Sequence, residues 1–239
     1  MKTSLYKKVG IASAIMMASV FLSRGIGLFR EIAIAYVGGT DWQVDAYQIA
    51  FVLPEILNHV VATGFLSITF IPIFNKYLEK DMEEEGWRVF SLIFTIFGTI
   101  LAALMVPAWI WADWLVKWAA KGEDDPEILA LAIHMTRIVL PAQLLFFAGG
   151  LFMAVQFAKE RFLIPALAPL IYNLGIIMGG LLLGPRFGME GFSWGVLAGA
   201  FIGNCVLQWI GARRAGMKFT FFLNIFHPAL KRYFFLTLP

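Results

Sequence analysis

Long apolar runs separated by short polar segments dominate this chain. Six such runs lie at about residues 9–36, 46–75, 89–112, 128–154, 164–184 and 193–212. A helix needs about 20 apolar residues to cross the roughly 30 Å of hydrocarbon in a bilayer. The pattern therefore predicts an all-α membrane protein in which six transmembrane helices form one bundle.

The end of the chain carries a different pattern. A basic, aromatic segment from Arg213 to Phe226 is typical of a helix that lies on the membrane surface. A seventh apolar run begins near Tyr233 and stops at Pro239. We therefore expect a six-helix lobe over residues 1–228, the start of a seventh transmembrane helix over residues 229–239, and a chain that is a fragment of a longer protein.

Composition supports a membrane protein and excludes several other classes. Sixty per cent of the residues are hydrophobic and 15% are charged, whereas a soluble domain carries about a quarter. The single cysteine, Cys205, excludes an intrachain disulfide and a cysteine-cluster metal site. The chain has neither a Walker-type phosphate loop nor a Ser/His/Asp or His-x-x-x-His arrangement. We expect no enzyme activity, cofactor or metal.

The distribution of basic residues predicts the orientation. Cytoplasmic loops of membrane proteins carry an excess of lysine and arginine. With the N-terminus inside, 13 of the 19 basic residues fall in cytoplasmic segments, three in external loops and three within helices. The net charge of +3 therefore reflects topology and does not indicate a nucleic-acid partner.

The first apolar run places two arginines within the membrane. Arg24 lies near its midpoint, and Arg30 follows about 9 Å further along a helix. Because an arginine at this depth costs at least about 2.5–3.5 kcal/mol, it should face a cavity or a partner. One structural interpretation is that Glu31, seven residues from Arg24 and on nearly the same helix face, partly neutralises it. Arg30 would then need another partner.

The second apolar run carries a polar stripe. Gln48, Glu55 and His59 are spaced seven and four residues apart, which aligns them on one helix face. Asp45 and Asn58 add to the polar content of the same run. Such a face must contact water, a substrate or another helix.

The fourth apolar run carries Arg137, which fits a structural and a functional role equally well.

These residues carry a family resemblance. The order and spacing resemble the MurJ (MviN) lipid II flippases of the multidrug/oligosaccharidyl-lipid/polysaccharide exporter superfamily over nearly the whole chain. The matching positions are Ser23-Arg24-x-x-Gly27-x-x-Arg30-Glu31, Gly38, Asp45-Ala46, Ala50-Phe51, Pro54, Gly64, Phe70-Ile71-Pro72, Arg137-Ile138-x-x-Pro141, Phe162-x-x-Pro165-Ala166-x-Ala168-Pro169, Asn173 and Gly188-x-x-Gly191-x-x-x-Gly195.

The resemblance implies one lobe of a fourteen-helix transporter in the bacterial inner membrane. Such a transporter moves lipid II, the undecaprenyl-pyrophosphate-linked peptidoglycan precursor, from the inner to the outer leaflet by alternating access. Its partners would be lipid II, membrane lipid and the second lobe, which this chain lacks. The implied substrate-binding residues, together with the polar residues of the second run, are Ser23, Arg24, Arg30, Asp45, Glu55, Asn58 and His59.

The sequence departs from this pattern in the second run. Many members have an arginine pair where this chain has Asn58-His59, and the following acidic position is Thr63. The cavity is then less cationic, or its charge depends on protonation of His59. An exporter of another polyprenyl-linked saccharide, and a non-transporting membrane scaffold, remain alternatives. A drug exporter fits less well, because cationic drugs favour acidic cavities.

Overall fold

The computed structural model describes residues 2–39, 41–61 and 65–221, and side chains within 10–39, 41–57 and 70–221. This part of the chain is helical and contains no β-strand. The helices are α1 Lys2–Gly38, α2 Trp42–Val61, α3 Phe65–Glu79, α4 Glu83–Ile110, α5 Ala112–Ala119, α6 Pro126–Val139, α7 Ala142–Ala158, α8 Leu163–Phe187, α9 Glu190–Gly199 and α10 Leu207–Arg214, with a π-helical segment Ala200–Val206 between the last two.

The predicted membrane spans correspond closely to these helices, and the chain is a multi-pass membrane protein. Within the described residues, five stretches are long and apolar enough to cross a bilayer: Gly10–Gly38, Glu83–Ile110, Pro126–Ala158, Leu163–Phe187 and Glu190–Arg214. The remaining predicted span, 46–75, corresponds to α2 and α3, which lie on either side of residues 62–64. Those three residues lie outside the described part.

The bundle has two packed regions that share helix α7 as a neighbour. In the first, α1, α2, α6, α8 and α9 enclose small and branched side chains, among them Ala46, Ala50 and Val196. In the second, α3 and α4 pack on α7 around an aromatic cluster. The rings of Phe74 and Trp87 lie 4.8 Å apart there. Helix α1 packs chiefly on α8 and leaves most of its length exposed.

Glycines bring α8 and α9 into backbone contact, as the spacing of Gly191, Gly195 and Gly199 predicts. A Cβ added at Gly195 would lie 2.6 Å from the carbonyl oxygen of Gly175 on α8. One added at Gly199 would lie 2.7 Å from that of Tyr172. Only residues without a side chain permit this approach. It holds α9 firmly against the helix that also supports α1.

Each end of the bundle has its own ion pairs between helices. At one end Lys159 binds Glu83 at 2.8 Å, which joins α7 to the start of α4. At the other end Arg137 binds Asp113 at 2.7 Å, and His134 lies 3.2 Å from Glu190. The loops thus alternate between the ends as the predicted topology requires. Which end faces the cytoplasm stays a prediction.

The predicted surface helix beginning at Arg213 is wrong in its described part. Helix α10 ends at Arg214, and Gly216 follows with φ +93°. The N–H of Met217 donates to the carbonyl of Ala212 at 3.0 Å, which closes the helix with a glycine C-cap. Residues 217–221 are not helical. The segment from 222 on, with the predicted start of a seventh helix at 229–239, lies outside the described residues.

Candidate functional site

A polar cleft is lined by residues of α1, α2 and α8. Its volume is about 420 Å³. Charged and polar side chains from α1 and α2 line one part, and tyrosines and aliphatic residues line the rest. The lining residues are Arg30, Glu31, Ile34, Val44, Tyr47, Gln48, Phe51, Glu55, Tyr172 and Ile176.

Arg30 is the cation of this cleft, and two neighbours hold it. Its Nη2 and Nε donate to Oε1 of Glu31 at 2.5 and 3.1 Å. Its Nη1 donates to Oδ1 of Asn173 on α8 at 3.3 Å. The amide nitrogen of Asn173 in turn donates to the carbonyl of Pro169 at 2.9 Å and to Oγ of Ser23 at 3.4 Å. The guanidinium is therefore anchored across the α1–α8 interface.

Two tyrosines form the aromatic wall of the cleft. Tyr47 is buried and packs edge-on against Phe51 and Phe192, with ring centroids 4.8 and 5.9 Å away. Tyr172 packs edge-on against Phe146 at 5.2 Å. Neither tyrosine was expected from the sequence, because an aromatic residue in an apolar run is typical of packing. Their common position is revealed only by the folded bundle, in which both tyrosines line the same cleft.

The polar stripe of the second run enters the cleft in part. Gln48 and Glu55 of α2 both line it, as their spacing of seven residues predicts. The side chains of Asn58 and His59 lie outside the described residues. Asp45 is exposed in the first turn of α2 and is not among the lining residues. The functional roles assigned to these residues stay predictions.

Arg24 lies on α1 outside the cleft, and the structural interpretation in which Glu31 neutralises it is wrong. The structure pairs Glu31 with the adjacent Arg30. Arg24 is exposed and has no hydrogen-bond or ion-pair partner among the described residues. Seven residues span about 10.5 Å along a helix, and helical side chains lean towards the N-terminus. Glu31 is thus far from Arg24 along the helix and pairs with the adjacent Arg30.

Arg137, in contrast, is held by structural contacts. Its Nη2 binds Asp113, its Nε donates to the carbonyl of Trp109 at 3.3 Å, and its guanidinium lies 5.6 Å from the Trp109 ring. These contacts join α6 to the end of α4 and to α5. They favour the structural interpretation of this arginine.

The charge of the cleft decides what it can bind. Arg30 faces two carboxylates, Glu31 and Glu55, so the described lining is not cationic by itself. A guanidinium has five N–H donors and can pair with two oxygens of a phosphate. An anion entering the cleft would compete with Glu31 for Arg30, and the exposed guanidinium of Arg24 is not engaged by any described acid.

The sequence does not identify Asn173 as a site residue, although it is one of the matching positions of the family pattern. The feature that could have indicated its role is a lone amide side chain within an apolar span.

Comparison with known proteins identifies a family. The family model "Lipid II flippase MurJ" matches residues 34–239, a range that begins after Arg24 and Arg30. A probable lipid II flippase MurJ from Thermotoga maritima is 30% identical over 182 residues, 76% of this chain and 38% of that protein. The lipid II flippase MurJ of Burkholderia cenocepacia is 28% identical over 218 residues, 88% of this chain and 42% of its own. The chain thus spans about two fifths of the length of these relatives.

Two solved structures resemble the fold. A lipid II flippase MurJ in an inward closed conformation superposes with a TM-score of 0.75 and 25% identity, covering 94% of this chain and 47% of that one. The Vibrio cholerae MATE transporter VcmN in its bent form superposes with a TM-score of 0.74 at 14% identity, covering 97% of this chain and 52% of the other, and supports the fold alone.

Proposed function

The chain belongs to the MurJ family of lipid II flippases, and on this premise we propose that it forms the N-terminal lobe of a transporter that moves lipid II across the bacterial cytoplasmic membrane. The observation that carries the proposal is the cleft of Arg30. It places an anchored guanidinium, with aromatic and polar walls, at the meeting of α1, α2 and α8. Arg30 is half-buried, and an arginine within a membrane span is a functional candidate because it is costly to keep there.

Arg24 and Arg30 have different roles in this proposal. Arg24 is exposed and meets the pyrophosphate first, since no described acid competes for it. Arg30 binds a second phosphate oxygen by exchanging its contact with Glu31 for the substrate, while Asn173 keeps the guanidinium in place. Asp45, Glu55, Asn58 and His59 would contribute the remaining polar contacts. Most of α1 is exposed, which suits a helix that faces a second lobe.

The proposed orientation places the N-terminus in the cytoplasm. The end of the bundle with Lys159, Arg161 and Arg214 would then face inwards, and the end with Asp113 and Glu190 would face outwards. The excess of basic residues at the first end supports this assignment. The pyrophosphate would be loaded from the inner leaflet and released on the opposite side.

A chimera tests the proposed substrate. Residues 1–228 of this chain replace the corresponding part of the Burkholderia cenocepacia flippase, and the chimera is produced in cells depleted of their own lipid II flippase. We expect growth to be restored, and restoration to be lost on Arg30→Ala with membrane abundance unchanged. Arg137→Lys is the control, because that arginine is held by structural contacts away from the cleft.

Binding by the purified chimera distinguishes the alternatives. We expect lipid II to bind more tightly than a polyprenyl pyrophosphate that carries another saccharide. The reverse order, or no rescue by a chimera present at normal abundance, would contradict lipid II as the substrate. Rescue by residues 1–239 alone would contradict the requirement for a second lobe.

A further inference from the structure

A second and larger cavity lies at the opposite end of α1 from the cleft. Its volume is about 940 Å³, and it lies between the N-terminal half of α1, the α7–α8 turn and the end of α10. We call it the basic groove. Its lining residues are Ile11, Ala12, Ser13, Ile15, Met16, Gln156, Lys159, Glu160, Arg161, Phe162, Leu163, Ile164, Gly211 and Arg214.

The charges of the basic groove are unbalanced. Three basic side chains line it, against the single carboxylate of Glu160. Lys159 is occupied by Glu83 at 2.8 Å. Arg161 and Arg214 are exposed, and neither is paired with an acid among the described residues. Two arginines are therefore available to an anion in this groove.

Apart from Ser13, Gln156 and Glu160, the rest of the groove is lined by apolar residues and glycine, and it is reachable from outside the bundle. Ile11 of α1 is 53% exposed and Leu163 of α8 is 61% exposed, although both line the cavity. A small anion would leave these side chains uncovered. An anion attached to a hydrocarbon chain would satisfy the arginines and cover the apolar wall together.

The turn that carries Arg161 is fixed by the fold. Glu160 adopts φ +55°, a conformation that residues with a side chain rarely take. The N–H of Arg161 donates to the carbonyl of Gln156 at 2.8 Å. Gln156 is itself buried and donates to Oε1 of Gln208 at 3.0 Å. Arg161 is therefore presented from a rigid support and not from a loose loop.

We propose that the basic groove binds one anionic glycerophospholipid of the leaflet that this end of the bundle contacts. Its phosphodiester binds Arg161 and Arg214, and an acyl chain lies along Ile11, Ile15 and Leu163. The site is separate from the Arg30 cleft, which has no lining residue in common with it. The lipid would fasten the N-terminal half of α1, the least buried of the described membrane spans, to α8 and α10.

Lipid titration of the purified 239-residue chain tests this proposal. Native mass spectrometry measures binding of dioleoylphosphatidylglycerol and of dioleoylphosphatidylcholine. We expect the anionic lipid to bind more tightly. Arg161→Gln with Arg214→Gln should weaken it by about 25-fold, from roughly five-fold per basic residue near a lipid surface. The matched control, Arg88→Gln with Arg213→Gln, removes the same charge from arginines outside the groove and should change binding by less than about two-fold.

Substitutions that fill the groove without changing its charge test the lipid site independently. Ala12→Trp fills the groove, whereas Ala14→Trp adds the same bulk to an exposed position of α1 outside it. Only the first should lower affinity for the anionic lipid. Equal binding of the two lipids, or equal loss in the matched control pairs, would overturn the proposal. Displacement of the lipid by excess inorganic phosphate would overturn it in favour of a site for free anions. Growth rescue by the chimera is a separate experiment. A chimera that fails to restore growth would contradict the proposed function without affecting the measured lipid affinities.

Discussion

Arg30 of α1 and Asn173 of α8 are joined by a hydrogen bond of 3.3 Å, although 143 residues separate them in the sequence. The same amide reaches back to Ser23 on α1, about two turns before Arg30. Asn173 thereby makes two contacts with α1 and one with the carbonyl of Pro169 on its own helix. It is the described residue that fixes where the guanidinium of the cleft lies.

Removing this amide should impair the cleft without unfolding the lobe. Asn173→Leu keeps the volume of the side chain and removes its contact with Arg30. A hydrogen bond to a charged group is worth about 1.5–3 kcal/mol, so we expect transport by the chimera to fall by about tenfold or more. Abundance in the membrane is measured in parallel. Gln143→Leu, another buried amide, lies outside the cleft and should leave transport near normal.

The sequence predicts the spans well because the physical signal is strong. About 20 apolar residues in a row have few uses other than crossing a bilayer. The glycine spacing of α9 likewise predicts close packing, since only a residue without a side chain permits it. The cleft is harder to predict. Its polar residues on α1 and α2 are visible as charges within apolar runs, but their partners depend on which helices meet.

The wrong predictions also arise because the partner of a side chain depends on the tertiary structure. Helix geometry places Glu31 on the face of Arg24, yet the long side chain of Arg30 reaches the adjacent carboxylate. The aromatic pattern after Arg213 favours a helix, yet Gly216 ends one there. Tyr47 and Tyr172 resemble packing residues in the sequence, and only the folded bundle places both of them at the same cleft.

The orientation of the bundle can be measured with single cysteines. In a Cys205→Ser background, Glu84→Cys and Asp124→Cys introduce thiols at exposed positions of opposite ends. Asp124 is preferred to Gly122, whose φ of +103° disfavours any side chain. We expect an impermeant maleimide to label Asp124→Cys in intact cells and to label Glu84→Cys only after the membrane is opened. The opposite result would reverse the proposed topology.

The contact between α8 and α9 should respond sharply to a single methyl group. Gly195→Ala places a Cβ against the carbonyl of Gly175, which forces the helices apart. We expect a loss of about 1–3 kcal/mol in unfolding free energy, the usual cost of overpacking. Gly150→Ala is the matched change, because a Cβ there meets nothing within 4 Å. It should stabilise α7 by about 0.5–1 kcal/mol. Equilibrium unfolding in mixed micelles measures both, and equal effects would contradict the close approach.

The amide pair of Gln156 and Gln208 should behave as a unit. Nε2 of Gln156 donates to Oε1 of Gln208, and Nε2 of Gln208 donates to the carbonyls of Ile164 and Gly203 at 3.1 and 3.2 Å. Gln156→Leu alone should destabilise the bundle by about 1–2 kcal/mol, because it leaves an oxygen of Gln208 without this donor. Adding Gln208→Leu should recover part of that loss. Additive losses in the double variant would show that the two amides act independently.

The roles of Arg24 and Glu31 can now be separated. Since Glu31 pairs with Arg30 and not with Arg24, Arg24→Ala leaves no described carboxylate unpaired. We therefore expect the Arg24→Ala chimera to reach normal abundance and to lose transport. Arg24→Lys keeps the charge without the planar fork and should retain partial activity at most.

The double variant Arg24→Ala with Glu31→Ala decides between substrate binding and charge neutralisation. If Arg24 served only to neutralise Glu31, removal of both would restore abundance and activity, because neither charge would be left without its partner. The structure favours the other outcome. Loss of Glu31 frees the guanidinium of Arg30 but cannot replace that of Arg24, so the double variant should be present at normal abundance and inactive. Transport and membrane abundance, measured on the same cells, distinguish the two. Full activity in the double variant would remove Arg24 from the substrate path.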